Sequence, residues 1–358
     1  MGKWKKWLSA GLFTAMLGTA IIAGPTADVS ANAGNKPYNI ENVSPDAQLA
    51  PSVGDSSSKT SSKAWHKIDG VCYNGSGKKV EGAITRGMDV SEWQGKINWK
   101  EAKKDLDFAF VRISYGTRHL DDYYDYNMTE AEAADVPVGT YVYSLAKTNK
   151  EALAEAQLAI RQMQGHKVSY PVAFDLEDEA TLGTLTRKEI SQIALTFCDE
   201  IRKAGYTPIL YMNLNWYNNF VDWNVLEGSG LDVWIASYGD TIFAPSTSKY
   251  KYTIWQCTAG DEVPGMISTK KLISGVPKEN NVDLNFGYVD YTTKVVPRWN
   301  SQEGYTPAKQ PLYSDPKLHK NGWTTVKGRK YYYTNDKKAK GWLEIDGKIG
   351  RASCRERV

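Results

Sequence analysis

From Thr85 onward the chain alternates short apolar segments with amphipathic ones, and this alternation constrains the fold more than any other feature of the sequence. Eight apolar segments read as strands: Thr85–Val90, Phe108–Ser114, Val138–Ser144, Val172–Glu177, Thr207–Asn213, Val233–Tyr238, Thr253–Gln256 and Val282–Asn285. Helices fit the early gaps. Residues 150–164 place Leu153, Ile160 and Met163 on one face and stop at Gly165. Residues 187–204 follow Thr186, which forms a capping box with Glu189, and stop at Gly205. The gaps after Tyr238 and Gln256 are rich in turn residues and show no helical period. Strands separated by helices through the first five gaps, then little helix, predict an α/β fold, an incomplete β/α barrel. A doubly wound sheet is the alternative, but no G-x-G-x-x-G or P-loop supports a nucleotide site.

The flanks have other textures. Lys3, Lys5 and Lys6 precede the uncharged apolar run Leu8–Ala23, and Ala31-Asn32-Ala33 offers a cleavage site, so residues 1–33 read as a signal peptide. The expected product is secreted and free of a stable membrane anchor. Residues 34–64 end in a Ser-rich stretch and read as a flexible linker. Residues 65–84 form a small N-terminal extension, a hairpin around Asn74-Gly75-Ser76-Gly77. The barrel is expected over 85–291, a linker over 292–312 and a truncated repeat, a small β-hairpin fragment, over 313–348. In that repeat Gly322-Trp323 recurs as Gly341-Trp342, 19 residues later. Tyr331, Tyr332 and Tyr333 follow the first Trp, but Gly350, Arg351 and Ala352 stand at the matching places after the second. Ile349–Val358 resembles translated sequencing-adapter read-through, which makes residues 349–358, with Cys354, read as a non-native tail.

Lys and Arg number 44 against 41 Asp and Glu, and residues 34–348 carry a formal charge of −1. A near-neutral body has no electrostatic footprint for nucleic acid. With 12 Trp and 22 Tyr against 8 Phe, the aromatics favour rings with a polar edge, which suit sugar-binding surfaces. Cys198 falls on the apolar stripe of Ile190, Ile193, Phe197 and Ile201, whereas pairing of Cys72 with Cys257 stays open. The four histidines form no ligand cluster, so no metal and no cofactor is expected. The chain reads as a monomer.

Chemistry in a β/α barrel sits at the C-terminal ends of the strands. Asp89 closes the first strand, Asp175 and Glu177 close the fourth, and Asp283 sits in the eighth. Asp175 and Glu177, at i and i+2, point to one side. Carboxylates crowded there cannot all ionise freely, so one keeps its proton to unusually high pH. A protonated and an ionised carboxyl side by side is what glycosidic-bond cleavage needs. The competing reading makes these acids helix caps or surface partners of arginines, and Asp-x-Glu alone does not decide between them.

Four segments taken in order, Arg86-Gly87-Met88-Asp89-Val90-Ser91-Glu92-Trp93-Gln94-Gly95, Pro171-Val172-Ala173-Phe174-Asp175-Leu176-Glu177, Ile254-Trp255-Gln256 and Val282-Asp283-Leu284-Asn285, resemble the family 25 glycoside hydrolases over about Thr85–Tyr291. The resemblance implies a flattened barrel with helix-poor last strands. It also implies a lysozyme-type muramidase that cleaves the β-1,4 bond between N-acetylmuramic acid and N-acetylglucosamine in peptidoglycan glycan strands. It makes Glu177 the general acid and Asp175 the nucleophile, or the group that steadies an attacking N-acetyl group, while Asp89 and Asp283 line and tune the site. The sequence departs from the family twice. Tyr115 in Arg112-Ile113-Ser114-Tyr115-Gly116 stands where many members carry a Glu, and the segment before Asp283 is longer than usual.

Strand phase nominates Tyr143, Tyr211, Asn213, Trp234 and Tyr238 as substrate contacts, with Trp255 at a strand exit. The repeat resembles choline-binding or cell-wall-binding repeats, with choline or another wall-polymer group as its implied ligand. Two other readings keep the barrel: a wall-binding protein without activity, and a chitin-directed glycosidase.

Overall fold

The computed structural model describes residues 61–239, 252–260, 266–316, 322–326, 329–334, 337–339, 341–345 and 348–352. The expected signal peptide, the linker up to residue 60, residues 240–251 of the sixth gap and Cys354 lie outside the described residues.

The eight expected strands are present: β1 (Thr85–Val90), β2 (Phe108–Tyr115), β3 (Val138–Tyr143), β4 (Val172–Asp175), β5 (Pro208–Asn213), β6 (Asp232–Ala236), β7 (Ile254–Thr258) and β8 (Asp283–Gly287). They are ordered β1-β8-β7-β6-β5-β4-β3-β2, and pairing of β1 with β2 closes the sheet into a barrel. Neighbours are parallel from β1 through β7. The last strand is the exception, since β8 runs antiparallel to both β7 and β1. A parallel return needs a crossover to the opposite pole, commonly a helix. The described part of the connection after β7 holds none, and β8 starts at the pole where β7 ends. That reversal puts Asp283 at the beginning of its strand yet directly opposite Asp89, at the pole where the parallel strands finish.

Helices cover the first five gaps: α1 (Trp99–Ala102), α2 (Tyr124–Ala133), α3 (Asn149–Gln162), α4 (Glu179–Leu182), α5 (Arg187–Lys203), α6 (Leu214–Asn219) and α7 (Trp223–Leu226). Thr148 caps α3, and Thr186 with Glu189 forms the expected capping box on α5. Apolar stripes of α3 and α5 bury Ile160, Ile193, Phe197 and Cys198 against the outer face of the sheet, and Leu153 is buried too.

On the helix-poor side, a different part of the chain supplies the wall. Trp65, Cys72 and Val80 join Ile273, Val276, Trp255 and Phe286 in the same buried cluster. The Trp65 and Phe286 rings lie 6.4 Å apart, and Ile84 donates its amide to Gly287 O at 2.8 Å. The 65–84 extension thus packs as a piece of the barrel. Its hairpin pairs Lys67–Ile68 with Val71–Cys72 around Asp69-Gly70, whose φ angles of 49° and 79° suit a tight primed turn. The expected turn at Asn74–Gly77 is closed by Gly77 N donating to Asn74 O at 2.9 Å and Asn74 N donating to Lys78 O at 2.8 Å, beside an isolated bridge between Tyr73 and Lys79.

Residues 292–312, expected to be a linker, are bonded to the barrel. Val168 and Arg298 exchange backbone hydrogen bonds of 2.8 and 3.0 Å, Gly165 N donates to Trp299 O, and Gln302 N donates to Ala204 O. Glu200 on α5 then accepts from Tyr305 Oη and Ala308 N, both at 2.8 Å. Asn149 Nδ2 donates to Ser314 O, and Lys150 N to Asp315 Oδ1. The segment is a strap, passing from the C-terminal end of α5 to the start of α3. Beyond it stand two hairpins of matching register, Gly322 opposite Tyr333 and Gly341 opposite Ala352. The second uses Lys348–Ala352, which takes in residues 349–352 of the expected non-native tail.

Within the barrel an aromatic column fills the lumen. Phe108 stacks on Tyr170 at 4.7 Å, Phe110 stacks on Trp234 at 4.4 Å, and Tyr211 meets Trp234 edge-on at 4.6 Å. Among the described residues, the acids named from the sequence lie at the pole where β1–β7 end. Cys72, Cys198 and Cys257 are buried free thiols there and in the walls, so the structure pairs none of them.

Candidate active site

The four acids named from the sequence meet at that pole. Asp89 is the best bonded. Gln256 Nε2 donates to both of its oxygens at 3.0 Å, and Asn285 Nδ2 donates to Oδ2 at 2.6 Å. Asp283 lies 3.4 Å from the same Gln256 nitrogen and shares a hydrogen bond with Asp89, a contact that requires a proton on one of the two. Burial pushes Asp89 up to about 6 in spite of its donors.

Asp175 closes β4 and is 4% exposed, with Oδ1 lacking a hydrogen-bond partner. Burial first, then the charges of Glu177 and Asp89, raise it well above the ordinary aspartate range. Alternation continues past the strand: Leu176 is buried in the outer cluster, which leaves Asp175 and Glu177 sharing the inner side. Glu177 is part-exposed, nearer the solvent, and burial followed by repulsion from Asp89 and Asp178 pushes it up to about 7. An unpartnered buried acceptor beneath a protonated, accessible acid is a constellation able to steady a developing positive centre and to protonate a leaving oxygen.

Two residues outside the acids organise the pole, and neither was nominated from the sequence. Gln256 receives Tyr211 Oη at 2.8 Å and Tyr238 Oη at 3.1 Å on Oε1, and passes its two N–H bonds to the acids. Asn285 takes Trp234 Nε1 at 2.7 Å and donates to Asp89. Both stand inside the quoted strand segments at i+2 spacing to inward neighbours, which is the signal that finds them. Tyr141 also feels Arg112, Asp89 and Asp175, and it has the strand phase of Tyr143.

The six expected substrate contacts divide. Tyr143 is half-buried beside Glu177, and Tyr238 lies within reach of Asp283 and Glu177. Tyr211 is 5% exposed and its hydroxyl is spent on Gln256. Asn213 caps α6 through Oδ1, accepting from Trp216 N at 3.0 Å. Trp234 and Trp255 are not placed to touch a sugar, each being 1% exposed. Trp234 points inward as expected but lies deep in the aromatic column, and Trp255 packs outward against Phe286 with its indole N–H on Ser237 O. No group of His, Cys, Asp and Glu suited to a metal occurs among the described residues.

Lysozyme M1 of Streptomyces globisporus is 25% identical over 191 residues, covering 51% of this chain and 64% of that protein. The chain therefore spans less than two thirds of that relative's length. Among solved structures, the modular autolysin LytC from Streptococcus pneumoniae has 21% identity and a TM-score of 0.49, covering 62% of this chain and 51% of that one. The lysozyme from Streptomyces coelicolor has 24% identity and a TM-score of 0.46, covering 56% and 90%. The model of the glycosyl hydrolases family 25 matches residues 88–266, half of the chain and the stretch that runs from β1 past β7, and the protein belongs to that family.

Proposed function

We propose that this protein is a secreted peptidoglycan hydrolase that cleaves the β-1,4 bond between N-acetylmuramic acid and N-acetylglucosamine with retention of configuration. The observation that carries the reading is the buried acid cluster at the barrel mouth, with Glu177 held protonated to about 7 above the deeper Asp175. Glu177 donates its proton to the leaving oxygen. Asp175 either attacks the anomeric carbon or orients the substrate's N-acetyl group to do so, its free Oδ1 being the atom available. Water then enters with Glu177 as base, so both routes give a β product first. Burial and the charges of Asp89 and Asp178 hold the proton on Glu177, and Gln256 ties Asp89 to Asp283.

Proton NMR of a glycan oligomer during the first minutes of digestion tests this reading. The β-anomer should precede mutarotation. An α-anomer first would exclude retention, and no new reducing end would favour a binding protein on the same barrel.

The repeat is the proposed wall-targeting element, with choline or a similar cationic wall group as ligand. What supports it is the Tyr-rich strand Arg329–Thr334, where Lys338 Nζ already lies 3.4 Å from the Tyr331 ring centroid. The monomeric state and export remain part of the same proposal.

A further inference from the structure

One aromatic surface at the barrel mouth has no part in the carboxylate network. Tyr115 ends β2, at the position where this chain departs from the acid many family members carry. Its ring is 37% exposed and stacks on Tyr143, with centroids 4.7 Å apart and planes 19° apart. Tyr143 feels Glu177, Asp175 and Asp178, and Tyr115 feels Asp178 and Arg112, so the pair stands on the bank of the site beside Glu177. The backbone below is fixed. Gly116 takes a φ of 58°, donates its amide to Tyr143 O at 2.8 Å, and leaves a Cβ only 3.1 Å from the Leu145 side chain. Leu145 N and Ser144 Oγ are in turn held by the buried carboxyl of Glu155. One face of Tyr115 is thus taken by Tyr143 and the ring cannot swing with its loop, while part of its surface stays open to solvent.

A flat ring with a polar edge is the surface on which the C–H face of a pyranose packs, and an acid at this place offers no such face. Burial and the Asp178 charge raise the Tyr115 phenol, which keeps it neutral and outside the proton transfers. We propose that Tyr115, backed by Tyr143, is a sugar platform that holds the N-acetylated pyranose on the leaving-group side of the bond beside Glu177. This rests on the glycosidase reading above, because the acid stands next to the departing oxygen and a ring on its bank meets the departing sugar.

Two arms test the proposal. In the first, a peptidoglycan tetrasaccharide is titrated calorimetrically into Glu177→Gln protein, where binding is read without turnover. Adding Tyr115→Ala should weaken binding about fivefold, and Tyr115→Phe should restore most of it, the range expected for one aromatic contact. In the second, KM of the active enzyme is compared for the tetrasaccharide and for a glycosyl fluoride of the same donor sugar, whose leaving group is too small to reach the platform. Tyr115→Ala should raise the tetrasaccharide KM about fivefold relative to the fluoride, with kcat changed less than KM. Tyr115→Glu, which restores an acid, should behave like the alanine variant. Unchanged binding in Tyr115→Ala, or failure of phenylalanine to restore it, overturns the platform. Absence of any hydrolysis by the parent overturns the glycosidase reading and leaves the binding arm to stand or fall alone.

Discussion

Glu177→Gln should lower hydrolysis of peptidoglycan glycan strands at least about 10²-fold while leaving the fold intact. The amide keeps the size and polarity of the side chain but has no proton to give the leaving oxygen. Stability gives the prediction a second edge. The ordinary glutamate value is 4.5 and the folded protein holds this group at about 7, so its contribution to stability is present in acid and is lost as pH rises through that window. Glutamine carries no such loss, and the variant should melt no lower than the parent at pH 8. The parent's activity should fall above about pH 7, as Glu177 ionises. Near-parental turnover by the variant removes Glu177 from the acid role. A strongly lowered melting temperature makes it a structural residue.

Truncation at Tyr291 should cost far more stability than truncation at Asp315. A chain ending at Tyr291 loses the Val168–Arg298 backbone pair, removes Val295 from the interior cluster, and strips Glu200 of its Tyr305 and Ala308 donors. Several net hydrogen bonds and one buried side chain amount to roughly 3–5 kcal/mol, or about 10 °C in a domain of this size. A chain ending at Asp315 keeps the strap and should melt within about 2 °C of the parent, with hydrolysis of soluble oligomers unchanged. Equal melting temperatures for the two truncations, read by circular dichroism, would show that the strap lies on the barrel without stabilising it.

The contrast between these two predictions follows what the sequence displays. Strands buried on both faces read as near-continuous apolar runs, so β4 was legible to within two residues, and the acids at its exit came with it. The strap has no such signal. Its hold depends on backbone amides and on single partners such as Glu200, which leave no period in the sequence. The direction of β8 was also hidden, because periodicity is the same for a strand run either way. Phase was legible and depth was not. Trp234 points inward as its period requires, but it is buried against Phe110 and Tyr211 in the aromatic column. At the exit of β7 the inward place belongs to Gln256, one residue beyond the more conspicuous Trp255. Gln256 and Asn285 are ordinary amides by composition, and their three hydrogen bonds to Asp89 reveal what they do.

The reducing ends released from purified Gram-positive cell walls test the central claim most directly. After borohydride reduction and acid hydrolysis, the parent should yield reduced N-acetylmuramic acid derivatives as the new ends, and Glu177→Gln should yield almost none. Reduced N-acetylglucosamine derivatives as the new ends would place the cut at the other bond of the strand and contradict the account.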